Sequence, residues 1–127
     1  MQNKEQMKAA VNDIFDKCNF PEYLLGTRAL RHSIEFIIDN PEFRYLSLTK
    51  IVYDETAKRV GSTVGAVEKA MRTVIESRYE IDSERLTNVL GTIEYAGKKK
   101  REAPMTKQFI YRILAVAERQ VNNIERT

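Results

Sequence analysis

Ala57-Lys58-Arg59-Val60-Gly61-Ser62-Thr63-Val64-Gly65-Ala66-Val67 is the stretch that decides how this chain folds. A small residue stands four places before a glycine, and a branched apolar residue stands six places after it. Two helices that cross closely need the small residue where they touch. The turn between them needs glycine, because a positive φ is costly for any residue with a Cβ. The branched residue, inside the second helix, locks the crossing angle. This spacing predicts a helix-turn-helix. A short helix runs from about Asp54 to Val60 with Asp54 as its cap, Gly61-Ser62-Thr63 turns, and a long helix follows from Val64 to about Tyr79.

At about 100° per residue the second helix has two unlike faces. Val64, Val67, Met71, Val74 and Ile75 share one side, with Ala70 at its edge. Ser62, Gly65, Ala66, Lys69, Arg72, Thr73 and Glu76 share the other. A helix that enters a major groove wants small residues in its first turn, so that the backbone can approach, and long basic and polar side chains after them. Its first amides, with the Ser62 and Thr63 hydroxyls, suit a phosphate. An ordinary amphipathic helix with a solvated basic face gives the same wheel, so the helix by itself leaves both readings open.

Working outward, the apolar spacing is helical throughout and no stretch alternates as a strand would. Met7, Val11, Ile14, Phe15 and Cys18 form one helix face, with Asn3 placed to cap its start and Asn19-Phe20-Pro21 to end it. Pro21 suits the opening of a second helix, which buries Leu30, Ile34, Ile37 and Ile38 and stops at Asn40-Pro41. Ser47 is placed to cap a short third helix carrying Leu48, Ile51 and Val52. Residues 80–104 show little periodicity and read as a mobile connector with one helical turn. Pro104-Met105-Thr106 then opens a last helix with Phe109, Ile110, Ile113, Leu114, Ala117 and Val121 inward. The expected fold is all-α, about six helices in one domain spanning residues 1–127.

Composition narrows the function. With 43% hydrophobic and 31% charged residues in a 127-residue chain, a real core can form and a disordered tail is excluded. No apolar run reaches the eighteen or so residues of a membrane span, and the polar start is no signal peptide. A single cysteine and a single histidine exclude an internal disulfide and a Cys/His zinc site. A reduced, cytoplasmic protein without cofactor or metal is expected. Residues 1–60 balance nine basic against nine acidic side chains, so the net +3 lies entirely in residues 61–127. Four of those cations are Lys98-Lys99-Lys100-Arg101, a candidate phosphate-following arm or a solvated loop. Acidic pairs at Asp54/Glu55 and Asp82/Glu84 have no nucleophile or histidine beside them, so no catalytic chemistry is in view. His32 reads as a boundary residue, Cys18 as core, and Tyr53 and Tyr79 as core-boundary aromatics.

Several segments, in order and spacing, resemble a known family. They are Gly26 with Leu30-Arg31 and Ile34, Leu48-Thr49-Lys50-Ile51-Val52-Tyr53, Thr56-Ala57-Lys58-Arg59, Val67-Glu68-Lys69-Ala70-Met71-Arg72-Thr73-Val74-Ile75-Glu76, and Pro104 with Thr106 and Phe109-Ile110. Together they are similar to the C-terminal effector domain of the stage-zero sporulation protein A family, the response regulators that start sporulation in endospore-forming bacteria. The resemblance implies six helices, a DNA-binding helix-turn-helix and a recognition helix at about 64–79. Glu68, Lys69 and Arg72 stand where the family carries Glu, Arg and Arg. Lysine at 69 keeps the charge and loses the planar fork suited to two guanine acceptors. Gly65-Ala66 replace a Ser-Arg pair, removing a direct base contact worth roughly 1–3 kcal/mol against the family's TGTCGAA-containing box.

The expected DNA-contacting set is therefore Ser62, Thr63, Gly65, Ala66, Glu68, Lys69, Arg72 and Thr73, with Lys50, Lys58, Lys98, Lys99, Lys100 and Arg101 as candidate phosphate contacts. The implied partners are double-stranded DNA, a second copy arranged head to tail on it, and a sigma factor of RNA polymerase. The family's receiver domain, with its phosphate acceptor and metal pocket, would precede the effector domain, and Met1 begins almost at the first helix. Either a fragment or a stand-alone regulator outside phosphorylation control is expected. A second reading remains beside DNA recognition: a degenerate effector domain that binds polymerase, a sigma factor or a full-length homologue.

Overall fold

A computed structural model describes residues 3–45, 48–93 and 103–126. Among these residues there are five α-helices and no strand: α1 (Lys4–Lys17), α2 (Leu25–Asp39), α3 (Tyr53–Val60), α4 (Val64–Leu90) and α5 (Thr106–Arg126). A 3-10 turn, Pro41–Tyr45, and a π turn, Leu48–Val52, connect α2 to α3. The chain forms two compact units, one of Met1–Phe20 with Ile75–Thr127 and one of Pro21–Val74. Their boundary falls inside α4. No helix among the described residues is long and apolar enough to cross a membrane.

The first unit is built on large side chains. Asn3 caps α1, its carboxamide oxygen accepting from the amides of Glu5 (2.8 Å) and Gln6 (3.3 Å). The stripe Met7, Val11, Ile14, Phe15 is buried, and α1 packs on α5, which buries Phe109, Ile110, Ile113, Leu114, Ala117 and Val121. Phe20 meets Phe15 edge-on at 5.1 Å and Phe109 at 5.4 Å, and Tyr79 meets Phe109 edge-on at 6.5 Å. Each such side chain contributes roughly 1.5–3 kcal/mol through burial. α1 ends with Asn19 in the left-handed region (φ 57°). Arg78 Nε donates to the Cys18 carbonyl (3.2 Å) and Arg85 Nη1 to that of Lys17 (3.5 Å). Both cations thus sit at the negative end of the α1 dipole.

Residues 80–90 differ from the connector that the sequence predicts. They continue α4 to Leu90, with one non-helical residue, Asp82 (φ −153°, ψ 66°). Asp82 restarts the helix: its carboxylate accepts from the Arg85 amide (3.2 Å) and from Arg85 Nε (3.0 Å). Those bonds from Arg85 hold the Asp82 carboxyl below its ordinary pKa. The inward side runs on through Arg78, Leu86 and Leu90, with Leu86 and Leu90 fully enclosed. A charged Arg78 and a half-exposed Asp82 hide that side in the sequence. The helix closes at Gly91 (φ 77°), and Arg112 Nη1 donates to the Leu90 carbonyl at 2.9 Å.

The second unit adds close contacts of small side chains to an aliphatic core. α2 buries Gly26, Thr27, Ala29, Leu30, Ser33, Ile34, Ile37 and Ile38. It starts at Leu25 rather than Pro21. The Leu24 amide instead closes a turn on the Pro21 carbonyl at 3.3 Å, ahead of the helix. Asn40 ends α2, its amide (2.9 Å) and side-chain nitrogen (3.0 Å) both donating to the Phe36 carbonyl. Residues 48–52, expected as a short α-helix, form the wider π turn, and Ser47 lies outside the described residues. That turn delivers the chain to α3 already helical, with Val52 at φ −66°, ψ −47°. A side-chain cap needs a non-helical residue, so Asp54 does not cap α3. It sits in the first turn, where its charge suits the helix dipole.

Candidate nucleic-acid interface

Gly61 follows α3 in the left-handed region, at φ 68°, ψ 43°. Its amide donates to the Lys58 carbonyl (3.3 Å), and the Ser62 amide donates to that of Ala57 (2.9 Å). This doubly bonded exit stops α3 in one residue. Thr63 then opens α4: its hydroxyl oxygen accepts from the Ala66 amide (3.2 Å), and its carbonyl accepts from Val67 (2.9 Å). The Ala66 amide is therefore engaged by its own cap. The first-turn amides left for an anion are those of Val64 and Gly65.

Beyond that turn the two faces separate as the wheel requires. Ala57, Val67, Met71 and Val74 are buried, Val67 and Met71 completely. Thr63, Gly65, Ala66, Lys69, Arg72 and Thr73 are exposed, while Ser62 and Glu68 are half-buried. Residues three and four apart are neighbours on a helix surface, so Gly65, Lys69 and Arg72 form one ridge. Ala66, Lys69 and Thr73 form the next. The arginine fork can grip two acceptors in one plane, the lysine offers a point charge, and the threonine offers a hydroxyl and a methyl.

Flanking cations are partly placed. Lys50 is exposed on the π turn. Lys58 is exposed and pairs along its own helix with Asp54 (3.4 Å) and Glu55 (3.8 Å). Solvent-exposed pairs of this kind are worth about 0–1 kcal/mol, a hold that a phosphate can exchange. Lys98, Lys99, Lys100 and Arg101 lie outside the described residues.

Two supports behind this face are absent from the expected site. Gly26 of α2 lies against the α4 backbone at Ala70, where a Cβ would overlap the carbonyl oxygen and stand 2.8 Å from the carbonyl carbon. Deeper, the Ser33 and Thr56 hydroxyls meet at 2.8 Å, fully buried, and join α2 to α3. Ser33 also reaches Met71 Sδ at 4.0 Å. The sequence signals were a lone glycine inside a helical pattern and two hydroxyls on otherwise apolar stripes.

Burial pushes the Cys18 thiol up to about 11, against the opposing pull of Arg78 and Arg85. Burial, then Cys18, pushes the Tyr79 hydroxyl up to about 12. Both therefore stay protonated at neutral pH. His32 is half-buried. Among the described residues, no group of three or more His, Cys, Asp and Glu side chains could hold a metal ion.

A short helix, a left-handed glycine, a capping threonine and a half-buried second helix define the helix-turn-helix class. Comparison with protein families narrows this further: residues 11–117 match the family described as "Sporulation initiation factor Spo0A C terminal". The chain belongs to that family and is a sporulation response-regulator effector domain. Such domains are DNA-binding modules of transcription regulation and are not enzymes.

Proposed function

We propose that the whole chain acts as one effector domain, a cytoplasmic regulator that reads specific DNA sequence with the first turns of α4 in the major groove. The carrying observation is the split of that helix. Val67 and Met71 are locked inward, while Gly65, Ala66, Lys69, Arg72 and Thr73 are exposed along one side. The small first turn admits close backbone approach, and Lys69 and Arg72 supply the base-edge donors. Ser62, Thr63 and the Val64 and Gly65 amides face the flanking phosphate, and Glu68 and Thr73 border the read bases. Lys50, Lys58 and the run 98–101 follow the backbone and set the salt dependence. A second copy binds head to tail on an adjacent half-site, and a sigma factor is the protein partner.

One observation favours a second reading. Gly65 and Ala66 are exposed but carry no group that reads a base, which suits a module that docks on polymerase or on a full-length homologue. Selection from a random duplex library separates the two. Enrichment of a common motif supports the DNA reading. Retention of duplexes without enrichment supports the second.

A further inference from the structure

We infer that Gly26 is a positioning residue that sets sequence discrimination by fixing where α4 presents its reading face; the inference rests on the DNA reading above. Gly26 is buried in the first turns of α2 and has no side chain to interpose. A Cβ there would overlap the Ala70 carbonyl oxygen and lie 2.8 Å from the Ala70 carbonyl carbon and 2.9 Å from Val74 Cγ1. The first obstacle is helix backbone. It cannot rotate away as a flexible side-chain tip would, so α2 and α4 must separate.

Reaching an ordinary carbon–oxygen contact of about 3.3 Å requires a shift on the order of 1 Å. Ala70 lies in the same helix as Lys69 and Arg72, between them in sequence, so a displacement at Ala70 is carried to both. Recognition geometry tolerates about 0.5 Å. Phosphate contacts made by long flexible side chains tolerate more. A wedge at residue 26 therefore degrades base discrimination before it degrades backbone binding. Gly26 also differs from Gly61, around which a Cβ would meet open space. At Gly61 glycine answers to φ; at Gly26 it answers to a neighbour.

The test is Gly26→Ala, read in three ways: thermal unfolding, amide chemical shifts of the free protein, and affinity for a selected site against a scrambled duplex across a salt series. Ile14→Val, in the other unit's core, serves as the control for lost stability alone. The expected result is a folded Gly26→Ala protein with shifted amides at Gly65 and Ala66, a turn or more along the helix from Ala70. Its specific-to-random ratio falls about tenfold, with random-DNA affinity and salt slope retained and the control ratio unchanged. Shift changes confined to the neighbours of residues 26 and 70, an unchanged ratio, or an equal fall in the control would overturn the inference. If the parent protein selects no sequence, the DNA reading fails, and the free-protein shifts alone decide the positioning claim. If Gly26→Ala does not fold, Gly26→Ala with Val74→Ala removes the Cγ1 that a Cβ at residue 26 would meet at 2.9 Å and leaves the clash with the Ala70 backbone. It should move the same amides and lower the ratio about threefold; no change would overturn the inference.

Discussion

The two compact units both bury large aliphatic side chains and differ in the contacts added to them. In the unit of α1 and α5, Phe15, Phe20, Tyr79 and Phe109 pack ring against ring, and arginines reach across to helix-end carbonyls. In the unit of α2, α3 and the start of α4, the contacts are Gly26 on backbone, Ala57 at the crossing and the Ser33–Thr56 hydroxyl pair. Large rings gain the most burial energy and tolerate small adjustments. Small residues gain less and allow one separation only. The lesson is that the unit carrying the candidate reading face adds contacts that set placement, whereas its counterpart adds contacts that deepen burial.

Val67→Asp is the largest way to break this contrast. Val67 is completely enclosed in the unit of α2 and α3, and a carboxylate there has no partner. Loss of more than about 4 kcal/mol is expected, read as collapse of the helical circular-dichroism transition. An unchanged midpoint would mean that α4 is rotated from the register described.

The next effect belongs to the ring-packed unit and is a pH dependence. Cys18 ionises ordinarily near 9.0 and is pushed to about 11 in the fold. Its folded pKa lies above its unfolded one, so its contribution is complete below pH 9 and is lost as pH rises toward 11. About 2 kcal/mol is at stake, with Tyr79 adding to the loss at higher pH. Urea titrations from pH 8 to 11 should show the decline, and Cys18→Ala should flatten it. A decline of equal steepness in that variant would remove Cys18 from the account.

Thr56→Val sharpens the comparison from the other side. The shape is kept, and the buried Ser33 hydroxyl loses its 2.8 Å partner. A cost of about 1–2 kcal/mol is expected, measured by denaturant unfolding. A neutral result would mean that the hydroxyl pair adds nothing beyond its volume. Gly61→Ala should cost less, about 1 kcal/mol, because a Cβ there meets nothing within 4 Å and only the positive φ is strained.

The sequence was most legible where a face is apolar without interruption. The large apolar residues expected inward on α1, α2 and α5 are buried, as are Val67, Met71, Val74 and Ile75 of α4, while Val64, expected beside them, is half-buried. The turn was legible for a different reason: Gly61 is the residue that its φ demands. Three features were not legible. Arg78 puts a charge on an inward side and Asp82 breaks the helix there, and their roles are visible only once the Cys18 carbonyl and the Arg85 side chain are beside them. The π turn at Leu48–Val52 delivers α3 already helical, which removes the need for the cap that Asp54 suggested. The approach of Gly26 to Ala70 joins residues far apart in the chain, and no local pattern states which partner a small residue will meet.

The central claim is that the exposed side of α4 reads bases. The direct measurement is affinity for a selected site and for a scrambled duplex, across a salt series, with the parent protein, Lys69→Ala and Arg72→Ala. Both side chains are exposed, so stability should stay within about 0.5 kcal/mol. Each substitution should cost roughly 1–3 kcal/mol on the selected site and little on the scrambled one. Lys58→Ala in the same series should weaken both duplexes alike and flatten the slope by about 0.9 log unit for its lost phosphate contact. If Lys69→Ala and Arg72→Ala leave both affinities unchanged, α4 is not in the groove and the account is contradicted.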